Sequence, residues 1–252
     1  MSNRSNYLPE IRGVSKKTRL GRSVYEGYQR GWGLEFGSLL EEVKNDPLYQ
    51  DAFSLTKGRS VQSELNRVNM FLLVKFYLEK LEPGHIIEFG SYKGGSAIFM
   101  AYVASVLHPE MKVYALDTFK GMPETDKDVD AHSKGDFQNV DLDELRSYVN
   151  QLGLKNLEFV QGLFEETTAE TLKKAKKISL AHIDCDIYSG VIYTYKAIKK
   201  YMVKGGYVVL DDPLYSSCIG AQEAVEKYFI QEDKLHAEQI YPQYVFRYPP
   251  LA

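Results

Sequence analysis

The sequence predicts an α/β fold in which a mainly parallel β-sheet carries helices on both faces. From residue 85 onwards, short apolar runs of strand length alternate with longer stretches whose apolar residues recur at helical spacing. Strands that alternate with helices are typical of βαβ units and parallel sheets. Two of the runs end in pairs of aspartates, which suits a fold whose ligands bind beyond the carboxyl ends of its strands.

The predicted elements begin with an amphipathic helix over residues 61–81, which Pro83-Gly84 ends. The other predicted helices cover residues 96–107, 142–152, 191–202 and 219–229. The predicted strands cover residues 85–89, 113–116, 157–160, 178–183 and 207–210, and a tyrosine-rich closing strand covers residues 237–247.

Length and composition indicate a catalytic domain over residues 61–252, preceded by a helical extension over residues 1–60. Residues 1–31 hold seven Lys or Arg and two Glu. For this extension we favour a solvated, partly ordered tail over an arm that packs on an active site or a partner subunit.

The overall charge and the cysteines limit the class of protein. The formal net charge of -3 gives no basic excess of the kind that marks a nucleic-acid binder. Two cysteines are too few for a disulfide framework, and no run reaches the roughly 18 apolar residues of a membrane span. We therefore expect a cytoplasmic protein that binds neither nucleic acid nor membranes.

An acidic segment over residues 119–141 is the longest irregular stretch between predicted elements. Residues 124–144 hold eight Asp or Glu and two Lys, a net charge of -6. A lid over the sheet edge and a merely solvated loop are equally good interpretations.

A glycine-rich loop, Gly90 to Ser96, joins the strand over 85–89 to the next helix. Glycines permit a tight turn, and a helix N-terminus offers N–H groups to a carboxylate or a phosphate. The loop matches neither a P-loop, which needs Lys where Ser96 stands, nor the dinucleotide fingerprint. Acids at the ends of the first two strands, Glu88 and Asp117, instead fit the amino group and the ribose diol of S-adenosylmethionine.

Four aspartates, Asp184, Asp186, Asp211 and Asp212, follow two apolar runs. If those runs are neighbouring strands, up to four negative charges converge, which is costly without a cation or a proton among them. Oxygen ligands select magnesium or a similar ion. Asp184 and Asp186 share one side of an extended chain, so Cys185 faces the other side and is predicted to be a small buried residue.

Four motifs resemble those of the macrocin O-methyltransferase family. They are EFGSYKGG at 88–95, LDTFKGMP at 116–123, HIDCDIY at 182–188 and DD at 211–212. The resemblance covers roughly residues 60–250. It implies a class I methyltransferase (Rossmann-like) fold, with S-adenosylmethionine and magnesium used to methylate a sugar hydroxyl of a glycoside or secondary metabolite.

The resemblance also implies roles for individual residues. Asp184, Asp211 and Asp212 would be metal ligands and Asp186 the general base. The predicted cofactor-binding residues are Glu88, Gly90, Ser91, Tyr92, Gly94, Ser96, Asp117, Thr118, Gly162, Leu163 and Asp184. Pro213 stands where the family commonly has an aromatic residue, so we expect an acceptor pocket of different shape.

The histidines and tyrosines near these motifs are expected to have structural roles. His182 is expected to support the acid cluster or the core, His132 to lie at the surface, and Tyr188, Tyr193, Tyr195 and Tyr201 to pack a helix on the sheet.

The alternative functions are a catechol-type methyltransferase and a methyltransferase-like protein that binds without turnover. By analogy with the family we also expect a homo-oligomer, most simply a dimer.

Overall fold

Six strands form one sheet in the computed structural model, which describes residues 21–22 and 24–250. The strands are β1 (His85–Phe89), β2 (Val113–Asp117), β3 (Leu157–Gln161), β4 (Ile178–Ile183), β5 (Met202–Leu210) and β6 (Tyr244–Tyr248). Their order is β3-β2-β1-β4-β5-β6, and β6 alone runs antiparallel. The strand order reverses direction between β1 and β4, and the carboxyl edge beside this switch point is where open α/β sheets bind ligands.

The described helices cover both faces of the sheet. They are α1 (Val24–Phe36), α2 (Leu39–Lys44), α3 (Pro47–Leu55), α4 (Glu64–Leu72), α5 (Gly95–Leu107), α6 (Leu142–Gln151), α7 (Phe164–Ala175), α8 (Tyr188–Ile198) and α9 (Ile219–Ala224). Helix α4 continues through a π-helical turn to Lys80, and α9 continues likewise to Glu232. None of these helices combines the length and the apolar character needed to cross a bilayer.

Alternating strand residues build two cores. Ile86 of β1 and Leu180 of β4 pack with α3, α4 and α5, whereas their neighbours Ile87 and Ala181 pack with α7, α8 and α9. A strand covered on both faces is apolar throughout, which is why these runs could be recognised in the sequence. The predicted α/β fold with a mainly parallel sheet is confirmed.

Helix α7 and the start of β5 were not predicted. Only four of the twelve residues of α7 are apolar, so the helical period is weak there. The helix instead carries acids in its first turn and lysines in its last, as the helix dipole favours. Helix α8 begins and ends earlier than predicted, and β5 starts at Met202 rather than at residue 207.

The solvated tail expected at the N-terminus is wrong for residues 24–60. Helices α1 to α3 bury Leu34, Val43 and Tyr49 in the same core as β1. Fully buried Arg30 of α1 lies 3.1 Å from Glu238, so the extension is tied to the chain just before β6. Most of the basic stretch, residues 1–20 and 23, lies outside the described residues.

Candidate active site

A cleft that is partly open to solvent lies at the carboxyl edge of β1, β2 and β4. It is lined by residues of the glycine loop, the acidic segment and the approach to α4. Eight predicted cofactor-binding residues line it, namely Gly90, Ser91, Tyr92, Ser96, Asp117, Thr118, Leu163 and Asp184. The remaining three, Glu88, Gly94 and Gly162, are not among the lining residues.

The first glycine of the loop lets β1 pass close to β4. Gly90 has φ +85°, and a Cβ there would lie 1.6 Å from the main-chain oxygen of Asp184. The Asp184 main-chain N–H donates to Phe89 O at 2.8 Å, which fixes this close approach. Only glycine satisfies both the backbone angle and the space.

Asp117 binds the glycine loop. Its Oδ2 accepts hydrogen bonds from the main-chain N–H groups of Ser91 and Tyr92, each at 2.8 Å. Its Oδ1 accepts from the N–H of Phe119 at 2.6 Å. The acid at the end of β2 therefore shapes the cleft as well as lining it, and these two loop N–H groups are already used.

Glu88 lies beneath the cleft, fully buried. It accepts a hydrogen bond from Ser91 Oγ at 2.8 Å, and its Oε1 lies 3.0 Å from His182 Nδ1. Burial lowers the pKa of His182, but hydrogen bonds to Asp211 and Glu88 outweigh it and raise that pKa to about 9. His182 thus lies beside the acid cluster in the supporting position that the sequence indicated.

Two of the four aspartates meet at a single point. Asp184, Asp211 and His182 place one oxygen or nitrogen atom each within 4.8 Å of one another. Gln62, just before α4, donates from Nε2 to Asp184 Oδ2 at 2.8 Å and to Asp211 Oδ1 at 2.9 Å. Sequence reasoning missed Gln62, because a lone glutamine before a helix carries no motif.

Asp211 and Asp212 point to different partners. Asp211 Oδ1 also accepts hydrogen bonds from Asn66 at 3.1 Å and Gln243 at 2.6 Å. Asp212 Oδ2 accepts from the main-chain N–H of Asp186 at 2.8 Å. Asp212 therefore holds the turn after β4, while Asp211 faces the side-chain amides.

The aspartates carry more negative charge than their partners neutralise. Burial raises the pKa of Asp184 and Asp212 well above the usual value, and neighbouring aspartates raise both further. A buried carboxylate is stable when paired with a cation or protonated, and oxygen donors suit a hard divalent ion. The donor set around Asp184 and Asp211 thus fits a magnesium-class ion, with the Gln62 side chain at the point where the two carboxylates meet.

Asp186 lies in the cleft, next to a second cluster. It has φ +61°, a left-handed conformation that aspartate tolerates better than most residues. Its Oδ1 lies 3.6 Å from His132 Nε2 and 3.6 Å from Cys218 Sγ. The surface position expected for His132 is wrong, since its side chain is only 17% exposed and contacts the Asp186 carboxylate.

The acidic segment is packed over the sheet edge. Asp130 is buried and accepts a hydrogen bond from the main-chain N–H of Tyr188 at 2.8 Å, at the first residue of α8. The ring of Phe137 contacts Tyr92 edge-on, with centroids 5.4 Å apart. Met122 and Phe137 line the cleft, so the segment forms one wall.

The family profile described as Macrocin-O-methyltransferase (TylF) matches residues 69–240. This range contains β1 to β5, the glycine loop and all four aspartates. The chain belongs to the macrocin O-methyltransferase family. Gln62, Asn66 and Gln243, which surround Asp211, lie outside the matched range.

Two curated relatives are similar over part of their length. An 8-demethyl-8-(2,3-dimethoxy-alpha-L-rhamnosyl)-tetracenomycin-C 4'-O-methyltransferase from Streptomyces olivaceus is 26% identical over 171 residues, 64% of this chain and 63% of the relative. A demethyldecarbamoylnovobiocin O-methyltransferase from Streptomyces niveus is 24% identical over 156 residues, 58% of each chain. This macrocin O-methyltransferase family member thus spans less than two thirds of either relative.

Solved structures show the same fold. The calicheamicin methyltransferase CalS11 superposes with a TM-score of 0.66 and 20% identity, covering 84% of this chain and 90% of that one. The O-methyltransferase NovP superposes with a TM-score of 0.60 and 21% identity, covering 83% and 94%. This chain therefore has the class I methyltransferase fold of these two methyltransferases.

Proposed function

We propose that this protein is a magnesium-dependent O-methyltransferase that transfers the methyl group of S-adenosylmethionine to a sugar hydroxyl of a glycoside or secondary metabolite. One observation carries the proposal: Asp184 and Asp186 line the same cleft as the glycine loop and Asp117. The proposed base and a proposed metal ligand would therefore lie in the same cleft as the proposed cofactor-binding residues.

When bound, S-adenosylmethionine supplies an activated methyl group, and Mg²⁺ supplies positive charge that lowers the pKa of a nearby alcohol. Asp184 and Asp211 would hold the ion. Asp212, the third ligand predicted from the sequence, accepts a hydrogen bond from the Asp186 N–H and would instead fix the turn that carries Asp186. His182 would hold the cluster from behind through Glu88.

Asp117 and the loop residues would hold the cofactor. Asp117 carries the acidic oxygens that a ribose diol requires, while Gly90 leaves room for close approach at the end of β1. Glu88, Gly94 and Gly162 would act on the cofactor by shaping the loop walls, since they do not line the cleft.

Asp186 would remove the proton of the acceptor hydroxyl. It is the cleft-lining carboxylate with contacts to His132 and Cys218 rather than to the side-chain amides around Asp211. An alcohol is a poor nucleophile at neutral pH, so in-line attack on a methyl group needs alignment and a base. The walls formed by the acidic segment and by residues 59–62, just before α4, would exclude water from that step.

The proposed acceptor is a sugar hydroxyl. The relative from Streptomyces olivaceus is named as an enzyme that methylates a rhamnosyl tetracenomycin, which supports a sugar hydroxyl as the acceptor. The runner-up, a catechol-type acceptor, is less well supported because such sites usually end in Asp-Asn where this chain has Asp211-Asp212.

A panel of deoxysugar glycosides and catechols, assayed with methyl-labelled S-adenosylmethionine, tests the acceptor class. We expect label in a glycoside and none in a catechol. Label in catechols alone would overturn the sugar assignment. Calorimetric binding of S-adenosylmethionine with no transfer to any acceptor would instead indicate a binding protein without turnover.

A cytoplasmic homo-oligomer, most simply a dimer, completes the proposal. The apolar side chains of Trp32, Phe36 and Ile240 are 57%, 74% and 58% exposed. Exposed apolar surface of this kind is typical of a surface that a second copy covers. Light scattering that gives the mass of one chain at micromolar concentration would contradict the oligomer.

A further inference from the structure

We propose that His132, Asp186 and Cys218 form a second metal site, selective for zinc or a similar thiophilic ion and separate from the carboxylate site at Asp184 and Asp211. The three side chains come from distant parts of the chain: the acidic segment, the turn after β4 and the start of α9. They contact one another beside the cleft, which Asp186 lines.

The spacing of the three donor atoms is close to that of zinc ligands. His132 Nε2 lies 3.6 Å from Asp186 Oδ1 and 3.7 Å from Cys218 Sγ, and the sulfur lies 3.6 Å from Asp186 Oδ1. Tetrahedral zinc bonds of about 2.0 Å to N and O and 2.3 Å to S place such ligands about 3.3–3.5 Å apart. A contraction of a few tenths of an ångström would therefore close the site around an ion.

The histidine is already oriented for this role. His132 Nδ1 lies 3.1 Å from Asp136 Oδ2, and the same oxygen accepts a hydrogen bond from Ser133 N–H at 3.0 Å. Zinc-binding histidines commonly donate their second ring N–H to a carboxylate, which fixes the tautomer and leaves the other nitrogen free to bind. Asp136 places His132 Nε2 toward Asp186 and Cys218 in this way.

The donor set separates this site from the magnesium site. A thiolate and an imidazole favour zinc, copper or cobalt, whereas magnesium prefers oxygen. Binding would release the thiol proton of Cys218 to solvent as the S–metal bond forms.

A consequence for turnover follows, and it rests on the proposed function. Asp186 is the proposed base, so an ion held at this site would occupy the carboxylate and stop proton removal. Asp186 also lines the cleft, which gives the ion a route of entry. Zinc bound at this site, which magnesium does not fill, should therefore inhibit methyl transfer.

Titration of the protein with Co²⁺ tests the site without turnover, because a cobalt–thiolate bond gives a near-ultraviolet charge-transfer band. The chain has two cysteines, Cys185 and Cys218, so each can be replaced in turn. We expect the band in the wild type and in Cys185→Ser, and its loss in Cys218→Ser. Zinc should remove it, and excess magnesium should not.

Two further variants keep the test decisive if Cys218→Ser folds poorly. Asp136→Asn should weaken cobalt binding about tenfold, as removal of a carboxylate behind a metal-bound histidine does, and His132→Gln should weaken it more. No charge-transfer band in the wild type, or a band unchanged in Cys218→Ser, would overturn the site. These outcomes do not depend on methyl transfer, so they are distinct from failure of the proposed function.

Inhibition gives the second measurement. At saturating magnesium, we expect zinc to inhibit methyl transfer by the wild type, and at least a tenfold higher zinc concentration to be needed for Cys218→Ser. Equal sensitivity of the two proteins, each compared with its own zinc-free rate, would overturn the inhibitory role.

Discussion

At the scale of single residues, the acid cluster accepts hydrogen bonds from side-chain amides that no sequence motif marks. The positions of the four aspartates could be predicted, because two apolar runs end beside them. The partners of Asp211, namely Gln62, Asn66 and Gln243, could not, since they come from three separate parts of the chain. His132 was misplaced for the same reason: its contact with Asp186 depends on how the acidic segment folds.

Asp186→Asn tests the proposed base. The amide cannot accept the proton, so we expect kcat to fall by about 10²- to 10⁴-fold while S-adenosylmethionine binding stays nearly unchanged. Asp128→Asn, in the exposed part of the acidic segment, serves as the control and should retain full activity. Single-turnover transfer of labelled methyl, together with calorimetry, measures both quantities, and an undiminished kcat in Asp186→Asn would rule out the base.

At the scale of elements, the glycine loop depends on one residue that cannot be replaced. Gly90 and Gly58 both have positive φ, at +85° and +78°, but a Cβ at Gly58 meets nothing within 4 Å. The two positions therefore separate backbone strain from steric conflict with β4.

Gly58→Ala should lower the free energy of unfolding by about 1–2 kcal/mol, the cost of a left-handed backbone. Gly90→Ala should lower it by more than about 4 kcal/mol, because the new Cβ meets the main chain of Asp184. Urea denaturation measures both. Equal losses in the two variants would show that β1 and β4 do not approach as closely as described.

The N-terminal extension is held by a buried charge cluster. Glu238 lies 3.1 Å from Arg30 and 3.2 Å from Arg247, and its side chain is fully buried. Arg30 also lies 4.4 Å from the ring centre of Tyr77, which links α1 to the end of the α4 region.

Glu238→Ala should destabilise the protein by about 3–5 kcal/mol, because two buried guanidinium groups lose their counter-charge. Glu158→Ala is the matched control: its partner Lys174 lies 2.6 Å away at the surface, and the expected loss is at most about 1 kcal/mol. Urea denaturation followed by circular dichroism compares them, and a loss at Glu238 no greater than at Glu158 would contradict the account.

At the scale of the whole molecule, the sequence predicts most of the sheet and less of what surrounds it. Strands that are buried on both faces appear in the sequence as apolar runs, so all six were predicted. The largest differences are at the start of β6, predicted at residue 237 and found at Tyr244, and at the start of β5. Helix α7 is too polar to show a clear helical period of apolar residues. Helices α1 to α3 bury few residues per turn, and the core that they bury them against is built from distant parts of the chain. The local spacing of apolar residues indicates which segments are buried. Elements that are stabilised mainly by distant partners are therefore not predicted from it.

In the proposed function, a magnesium ion, the glycine loop and Asp186 act together in one cleft. The most direct test is transfer of labelled methyl from S-adenosylmethionine to the best glycoside acceptor, before and after chelation with EDTA. We expect methyl transfer to be lost in EDTA and to return when excess magnesium is added. In Asp184→Ala, added magnesium should not restore methyl transfer. Undiminished transfer in EDTA would contradict it.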